Sequence, residues 1–115
     1  AYLRYADLTD ANLMLADLTD AYLYAANLTN AGLWGADLTD ADLRAADLTD
    51  ADLYSADLTN ANLKSADLTN ADLQYADLKF ADLSSATVTG TTMLDYSYWH
   101  QTEWIDGVKY DSNQA

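Results

Sequence analysis

Alanine recurs at every fifth position of this chain, from Ala1 to Ala86, and leucine follows two residues after each alanine up to Leu83. The unit is Ala-(Asp/Asn)-Leu-x-x, and Val88 and Met93 close the leucine series. In an α-helix, successive leucines at this spacing would rotate by about 140° around the axis. In a strand, every second leucine would point to the opposite side. Each unit is therefore predicted to be one short side followed by a corner, with its leucine pointing inward.

The residues that follow leucine carry a longer period. Acidic units alternate with more variable ones, and the variable units form two series at a spacing of twenty. The first series is mostly basic and the second mostly apolar: Arg4, Tyr24, Arg44 and Lys64, and then Met14, Trp34, Tyr54 and Gln74. A ten-residue coil would mix the two series, so the segregation favours a four-sided coil of twenty residues. Equivalent residues would then stack at about the strand spacing of 4.8 Å.

The run Ala-Asp-Leu-Thr-Asp, repeated with leucine at its centre, closely resembles the pentapeptide repeat proteins, which are abundant in cyanobacteria. The resemblance covers residues 1–93. It implies an all-β fold, a right-handed quadrilateral β-helix in which the central leucine and the preceding alanine point inward. Residues 1–93 would make about 4.5 coils of such a solenoid, with four faces each.

The repeat decays towards the C-terminus, where aromatic residues become frequent. A solenoid exposes apolar side chains and unpaired backbone at its ends, so residues 94–115 are predicted to form a short cap. Within it, residues 94–103 are predicted to form a short helix across the last coil. Asp106-Gly107 lies between Glu103-Trp104-Ile105 and Val108-Lys109-Tyr110 and is typical of a two-residue hairpin turn.

The charge of the chain limits its partners. Nineteen acidic residues against five basic ones give a formal charge of −14. Such a surface repels nucleic acid and anionic membranes, and no apolar stretch approaches the ~20 residues that span a bilayer. We expect no direct nucleic-acid binding and no membrane association, and we favour a cytoplasmic location.

The chain begins at Ala1, in phase with the repeat and without Met. We expect that upstream residues were removed, and that the uncapped N-terminal coil self-associates.

Residues with catalytic chemistry are scarce. His100 is the only histidine, and no Ser-His-Asp set, glycine-rich phosphate loop or HExxH pattern occurs. Stacked carboxylates do not supply the roughly six to eight converging oxygens that Ca²⁺ requires. We therefore expect a protein without catalytic residues, cofactor or metal.

An acidic column is expected on one side of the coil, formed by Asp17, Asp37, Asp57 and Asp77. Residues 1–93 contain 15 acidic and four basic residues, so about 22 Å of rod at the strand spacing carries about one net charge per 2 Å. Duplex DNA carries one per ~1.7 Å. The resemblance adds that some pentapeptide repeat proteins imitate DNA and bind topoisomerases. The alternative is that turn chemistry alone selects Asp and Asn.

The leading functional hypothesis is a non-enzymatic scaffold that binds an unknown protein partner. Exposed aromatic residues are enriched at interaction sites, and the candidate surface joins the basic and aromatic columns: Arg4, Tyr24, Arg44, Lys64, Met14, Trp34 and Tyr54. Alternatively, the basic column only relieves repulsion, and the aromatic column only packs between neighbouring coils. The second hypothesis is a DNA-mimic regulator that binds a DNA-binding enzyme, such as a topoisomerase, through the acidic column.

Overall fold

The computed structural model describes residues 1–89, 97–98, 101–103 and 109–110. Within residues 1–89 the chain is held by parallel β-bridges, and each bridge joins two residues twenty positions apart, such as Asp17 and Asp37. Four bridged positions in twenty residues, separated by turns every five residues, make a coil with four sides. We number the sides in chain order by the leucines of the first coil: Leu3, Leu8, Leu13 and Leu18.

Each corner of the coil is a β-turn that runs from a leucine to the next alanine. The alanine N–H donates to the leucine carbonyl three residues earlier, as from Ala26 to Leu23 at 3.0 Å. The residue before each alanine has a positive φ, for example +58° at Asn30 and +60° at Asp40. A positive φ at the third turn residue alone is the pattern of a type II turn. This explains the many Asp and Asn residues at this position, because they tolerate the left-handed region better than most residues.

The core is a stack of leucines with alanines beside them. From Leu18 to Ala86, every leucine and alanine at an inward position is buried. Burial of each leucine contributes roughly 1.5–3 kcal/mol relative to an exposed side chain. The leucines of the first coil are only partly buried, because no coil covers them on the N-terminal side in this structure: Leu3, Leu8 and Leu13.

The ladder of backbone hydrogen bonds connects each inner coil to both of its neighbours. On the first side, the N–H of Asp42 donates to the Ala21 carbonyl at 2.9 Å, and that of Leu43 donates to the Asn62 carbonyl at 2.8 Å. No helix occurs among the described residues. The regular strands are β1, Thr102–Glu103, and β2, Lys109–Tyr110.

The ladder continues into the C-terminal segment with one residue more per coil. Asp77 pairs with Tyr98 and Asp82 with Glu103, a spacing of 21 residues. Ser97 and Thr102, which precede these paired residues, are buried in the inward place that alanine holds elsewhere. The Thr102 hydroxyl donates to the carbonyl of Leu78. The inward pattern therefore outlasts the recognisable repeat, with polar side chains in place of alanine.

The described residues of the C-terminal segment correct two expectations. The predicted helix 94–103 is absent at these residues, because Tyr98 forms a bridge and Thr102–Glu103 is β1. β1 pairs with β2 in antiparallel orientation, with Glu103 opposite Lys109. A two-residue turn at Asp106-Gly107 would place Glu103 opposite Tyr110 and not opposite Lys109. The observed pairing is therefore shifted by one position. The turn itself and the predicted boundary at 93/94 lie outside the described residues.

Candidate interaction surfaces

Aspartate or asparagine at the second position of a unit makes a hydrogen bond that the coil does not otherwise provide. In the inner coils, the ladder and the turns pair the N–H groups of every position except the fourth. The Oδ1 atom of the second residue accepts from that N–H, as from Thr39 to Asp37 at 3.0 Å and from Lys64 to Asn62 at 3.1 Å. The Asp and Asn columns therefore stabilise the backbone of the solenoid, whatever else they do.

Three units within residues 1–85 lack this acceptor, and all three lie in the first two coils. Their second residues are Tyr2, Tyr22 and Gly32. In the described part of the chain, no hydrogen bond reaches the N–H groups two residues later, which are those of Arg4, Tyr24 and Trp34. The first and third sides therefore depart from the array at their N-terminal ends, where the candidate interaction residues lie.

The acidic column occupies the fourth side, where parallel bridges join its members in sequence: Asp17, Asp37, Asp57 and Asp77. Hydrogen bonds from the side chain and backbone of Thr19 lower the pKa of Asp17, so this carboxyl remains ionised to lower pH. At the C-terminal end of the column, Lys79 Nζ lies 3.4 Å from Asp77 Oδ2. The column is therefore an uninterrupted row of aspartates with a cation at one end.

The basic column occupies the first side, and its first three members are stacked. The guanidinium carbons of Arg4 and Arg44 lie 5.4 Å and 5.5 Å from the centre of the Tyr24 ring. Asp42 binds Arg44 through two contacts, with Oδ1 2.8 Å from Nε and Oδ2 2.7 Å from Nη2. The hydrogen bond from Arg44 is the main reason that the pKa of Asp42 is lowered. Lys64 continues the column at an exposed position.

Tyrosines enlarge the N-terminal end of the first side. The rings of Tyr2 and Tyr22 are stacked, with centres 5.1 Å apart and planes 5° apart. Tyr5 meets Tyr24 edge-on at 5.6 Å. Tyr2 is 86% exposed and Tyr5 69% exposed. We call this group the tyrosine–arginine surface, which comprises Tyr2, Arg4, Tyr5, Tyr22, Tyr24 and Arg44.

The aromatic column occupies the third side, opposite the first in a four-sided coil. Met14 and Trp34 are exposed, and Trp34 makes no ring–ring contact with another of residues 1–89. Tyr54 instead contacts Tyr75 at the following corner, with ring centres 5.3 Å apart. The residues of this column are thus aligned, but they do not form a continuous aromatic stack.

Large apolar residues at the corners are part of these surfaces, and the sequence-based prediction did not single them out. Exposed residues of this kind are Tyr5, Leu15, Tyr75 and Phe80. All have a positive φ, a conformation that the array more often gives to Asp, Asn, Ser or Ala. A bulky apolar residue at this strained position is the signal in the sequence that could have revealed them.

A family model described as pentapeptide repeats matches the chain over residues 1–35, 26–64 and 51–90. The chain belongs to the pentapeptide repeat family. The solved structures that it resembles are right-handed β-helices, and proteins of this family are generally structural repeat proteins and not enzymes.

Solved structures of the family resemble the chain closely. A pentapeptide repeat protein, Rfr23, from the cyanobacterium Cyanothece 51142 is 34% identical with a TM-score of 0.79, and the match covers 81% of this chain. This chain spans 63% of the length of that protein. A protein from the Arabidopsis thaliana thylakoid lumen is 33% identical, with a TM-score of 0.66, and the match covers 95% of this chain and 68% of the other.

A pentapeptide repeat protein from Nostoc PCC 7120 is 37% identical with a TM-score of 0.50, and the match covers 85% of this chain and 84% of the other. No curated protein matches the chain. Among the residues that the structure describes, no group of His, Cys, Asp and Glu is arranged to hold a metal ion. No helix of the described residues is long and apolar enough to cross a bilayer.

Proposed function

We propose that this pentapeptide repeat protein is a non-enzymatic scaffold that binds a protein partner through its tyrosine–arginine surface. The observation that carries the proposal is the packing of Tyr24 between Arg4 and Arg44, beside the stacked rings of Tyr2 and Tyr22, on one side of the solenoid. Tyrosine and arginine dominate the binding energy of many protein interfaces. Two of these tyrosines, Tyr2 and Tyr22, replace the aspartate or asparagine that stabilises the backbone in most other units.

The rigidity of the surface supports the same proposal. Tyr24 is held between two guanidinium groups, and Tyr22 is stacked on Tyr2. Side chains that are already ordered lose less conformational entropy when a partner binds. Stacked rings on a stiff ladder therefore suit a protein interface better than isolated exposed side chains do.

A second contact area on the third side would allow the solenoid to bridge two partners. Met14 and Trp34 are exposed there, 53% and 41% respectively. The first and third sides face in opposite directions, so two partners can contact the solenoid at the same time. We propose that these residues bind separately from the tyrosine–arginine surface.

Affinity capture from the source organism, with mass spectrometry, tests the scaffold. A Tyr24→Ala/Arg4→Ala double variant should lose one captured protein, and Trp34→Ala should lose a different one. Asp57→Asn is the matched control, because it keeps an Oδ1 acceptor for the Thr59 N–H and lies on the fourth side. Identical captured proteins for wild type and the double variant would refute the proposed surface.

The alternative function is DNA mimicry through the acidic column, and the unbroken row of bridged aspartates on the fourth side favours it. Replacement of Asp17, Asp37, Asp57 and Asp77 by asparagine removes four charges and retains the backbone acceptors. If the column imitates DNA, the wild type should inhibit a type II topoisomerase more strongly at low salt, and this variant should not inhibit it. Equal effects of both proteins would exclude the mimic.

The two ends of the solenoid are proposed to differ, with a cap at the C-terminal end and self-association at the N-terminal end. We propose that residues 1–93 make about 4.5 coils and that residues 94–115 cap them, since Tyr98 and Glu103 pair with the preceding coil. The partly buried leucines of the first coil favour self-association at the other end. Light scattering over a concentration series checks this, and a monomer of constant mass at high concentration would contradict it.

A further inference from the structure

Arg4 and Arg44 occupy the same position of the repeat on the same side, forty residues apart, yet their surroundings differ. Beside Arg44, the Asp42 carboxylate accepts from the backbone N–H at 3.2 Å and from the guanidinium at 2.8 Å and 2.7 Å. The chain therefore contains one example of how a carboxylate is bound at this position of the coil.

Beside Arg4, that carboxylate is missing. The second residue of its unit is Tyr2, and within the described residues Arg4 has neither an ion-pair partner nor an acceptor for its backbone N–H. Its guanidinium lies 5.4 Å from the centre of the Tyr24 ring. Stacking on a ring leaves the N–H donors at the edge of a guanidinium available for a carboxylate. Arg4 contributes to the lowered pKa of Asp42, but it makes no ion pair with that carboxylate among the described residues. Arg4 thus keeps the donors that Asp42 satisfies at Arg44.

We propose that Arg4 binds an aspartate or glutamate side chain of a partner protein, which takes the place that Asp42 holds beside Arg44. The proposal rests on the interaction function proposed above and specifies the chemistry of the partner at the tyrosine–arginine surface. The carboxylate accepts from the guanidinium and the backbone N–H of Arg4, as the carboxylate of Asp42 does at Arg44.

The surroundings indicate a peptide segment with a single carboxylate between apolar residues. Tyr2 and Tyr5 flank Arg4 in sequence and present exposed rings, which contact apolar side chains favourably. A highly acidic segment is disfavoured, because the chain carries a net charge of −14. At about 0.1 M salt the Debye length is about 10 Å, so the field of the distant carboxylates is screened and the local contact decides.

The probe is a fluorescently labelled, end-blocked pentapeptide of sequence Leu-Tyr-Asp-Leu-Ala, with its Asp→Asn analogue as the matched peptide. Fluorescence anisotropy at about 0.1 M salt measures the dissociation constant. The Asp peptide should bind about tenfold more tightly than the Asn peptide, as a gain of ~1.4 kcal/mol implies. Arg4→Gln should abolish this difference. Lys79→Gln removes the same charge from the fourth side, outside the candidate interaction surface, and should preserve it.

A second pair of variants tests the position of the carboxylate without removing Arg4. Tyr2→Asp supplies an internal carboxylate in the arrangement of Asp42 and Arg44, and should weaken binding of the Asp peptide about tenfold. Asn62→Asp adds the same charge three coils along the same ladder, beside Lys64, and should leave binding unchanged. Thermal unfolding and circular dichroism check that all variants are folded. Equal affinities of the two peptides for the wild type, or equal effects of Tyr2→Asp and Asn62→Asp, would overturn the proposal.

The two proposals can fail separately. If the peptides bind alike, yet the Tyr24→Ala/Arg4→Ala variant still loses a captured protein, the partner uses the surface without this carboxylate contact. If the Asp peptide binds as expected but no captured protein depends on the surface, the site binds carboxylates and the scaffold function is wrong.

Discussion

The first coil and the inner coils have the same repeat but differ in the burial of their leucines and in the hydrogen bonds of their backbone. Leu48 is buried between neighbouring coils, whereas Leu8, at the same place on the second side, is only partly buried. Asp42 caps a backbone N–H on the first side, whereas Tyr2 leaves the equivalent N–H without a partner among the described residues. Within residues 1–89, the burial of each leucine therefore depends on the neighbouring coils, and the capping of each fourth N–H depends on the second residue of the unit.

The largest expected difference concerns the core. Leu48→Ala should lower the free energy of unfolding by about 2–5 kcal/mol, because it leaves a cavity between packed coils. Leu8→Ala should cost clearly less, since its side chain keeps contact with one neighbouring coil. Urea denaturation of both variants provides the measurement. Equal losses would show that the first coil is as tightly packed as the inner ones.

A smaller effect is expected from the aspartates that cap the fourth N–H of each unit. Asp57→Ala removes the acceptor of the Thr59 N–H, which is 2.9 Å from Oδ1. The free energy of unfolding should fall by about 1 kcal/mol. Asp57→Asn keeps the acceptor and should change it by less than about 0.5 kcal/mol. Similar losses for both variants, measured by urea denaturation, would mean that charge matters more than the hydrogen bond.

Addition of a missing acceptor should raise the free energy of unfolding instead of lowering it. Gly32 has no side chain to cap the Trp34 N–H, and a Cβ atom there would lie 3.9 Å from the Ala11 carbonyl oxygen, which is an ordinary contact. Gly32→Asn should raise the free energy of unfolding by about 0.5–1 kcal/mol, from the new hydrogen bond and a less flexible unfolded chain. Gly32→Ala supplies only the second effect. Urea denaturation measures both variants. If the urea midpoint of Gly32→Asn is no higher than that of Gly32→Ala, the new side chain does not bond to the Trp34 N–H.

The smallest expected effect is a loss of stability in acid. The pKa values of Asp7, Asp17 and Asp37 are lowered below 3.8, first by side-chain hydrogen bonds from the threonines two residues later. These carboxylates therefore stabilise the fold above pH 3.8, and their contribution is lost as the pH falls through the lowered values. Urea midpoints in about 1 M NaCl, which screens general repulsion, should decrease below this pH. An Asp17→Asn/Asp37→Asn variant should show a smaller decrease of the urea midpoint. If its decrease equals that of the wild type, these two carboxylates do not cause the loss of stability in acid.

The regular part of the fold could be predicted from particular residues. The spacing of Ala21, Leu23 and their equivalents predicts an inward pair in each unit, and the split between Arg44 and Tyr54 favours a coil of twenty residues. The C-terminal segment could not be predicted in this way. There Ser97 and Thr102 take the inward place of alanine. Polar side chains are not expected in a core unless a hydrogen-bond partner is known, and the structure alone shows that the Thr102 hydroxyl donates to the Leu78 carbonyl.

The candidate surface was predicted in part. The alignment of Arg4 and Arg44 with Tyr24 follows from the period of twenty, and so does that of Tyr2 with Tyr22. The contribution of the corner residue Tyr5 does not follow from it. Corner residues point away from the core whatever their type, so periodicity alone gives them no role. The contact of the Tyr5 ring with Tyr24 arises between coils and depends on the side-chain direction at a position with positive φ.

The sequence by itself determined the repeat, the inward leucine, the four sides and the separation of acidic, basic and aromatic columns, because a strict period restricts which residues can share a side. Only the tertiary structure decided which contacts the residues of each column make. It showed that aspartates such as Asp37 accept a hydrogen bond from the backbone, and that Arg44 is bound by Asp42 while Arg4 is left with Tyr24. The reason is physical: a period fixes positions along the stack, but hydrogen bonds and ion pairs depend on distances of a few ångströms between side chains.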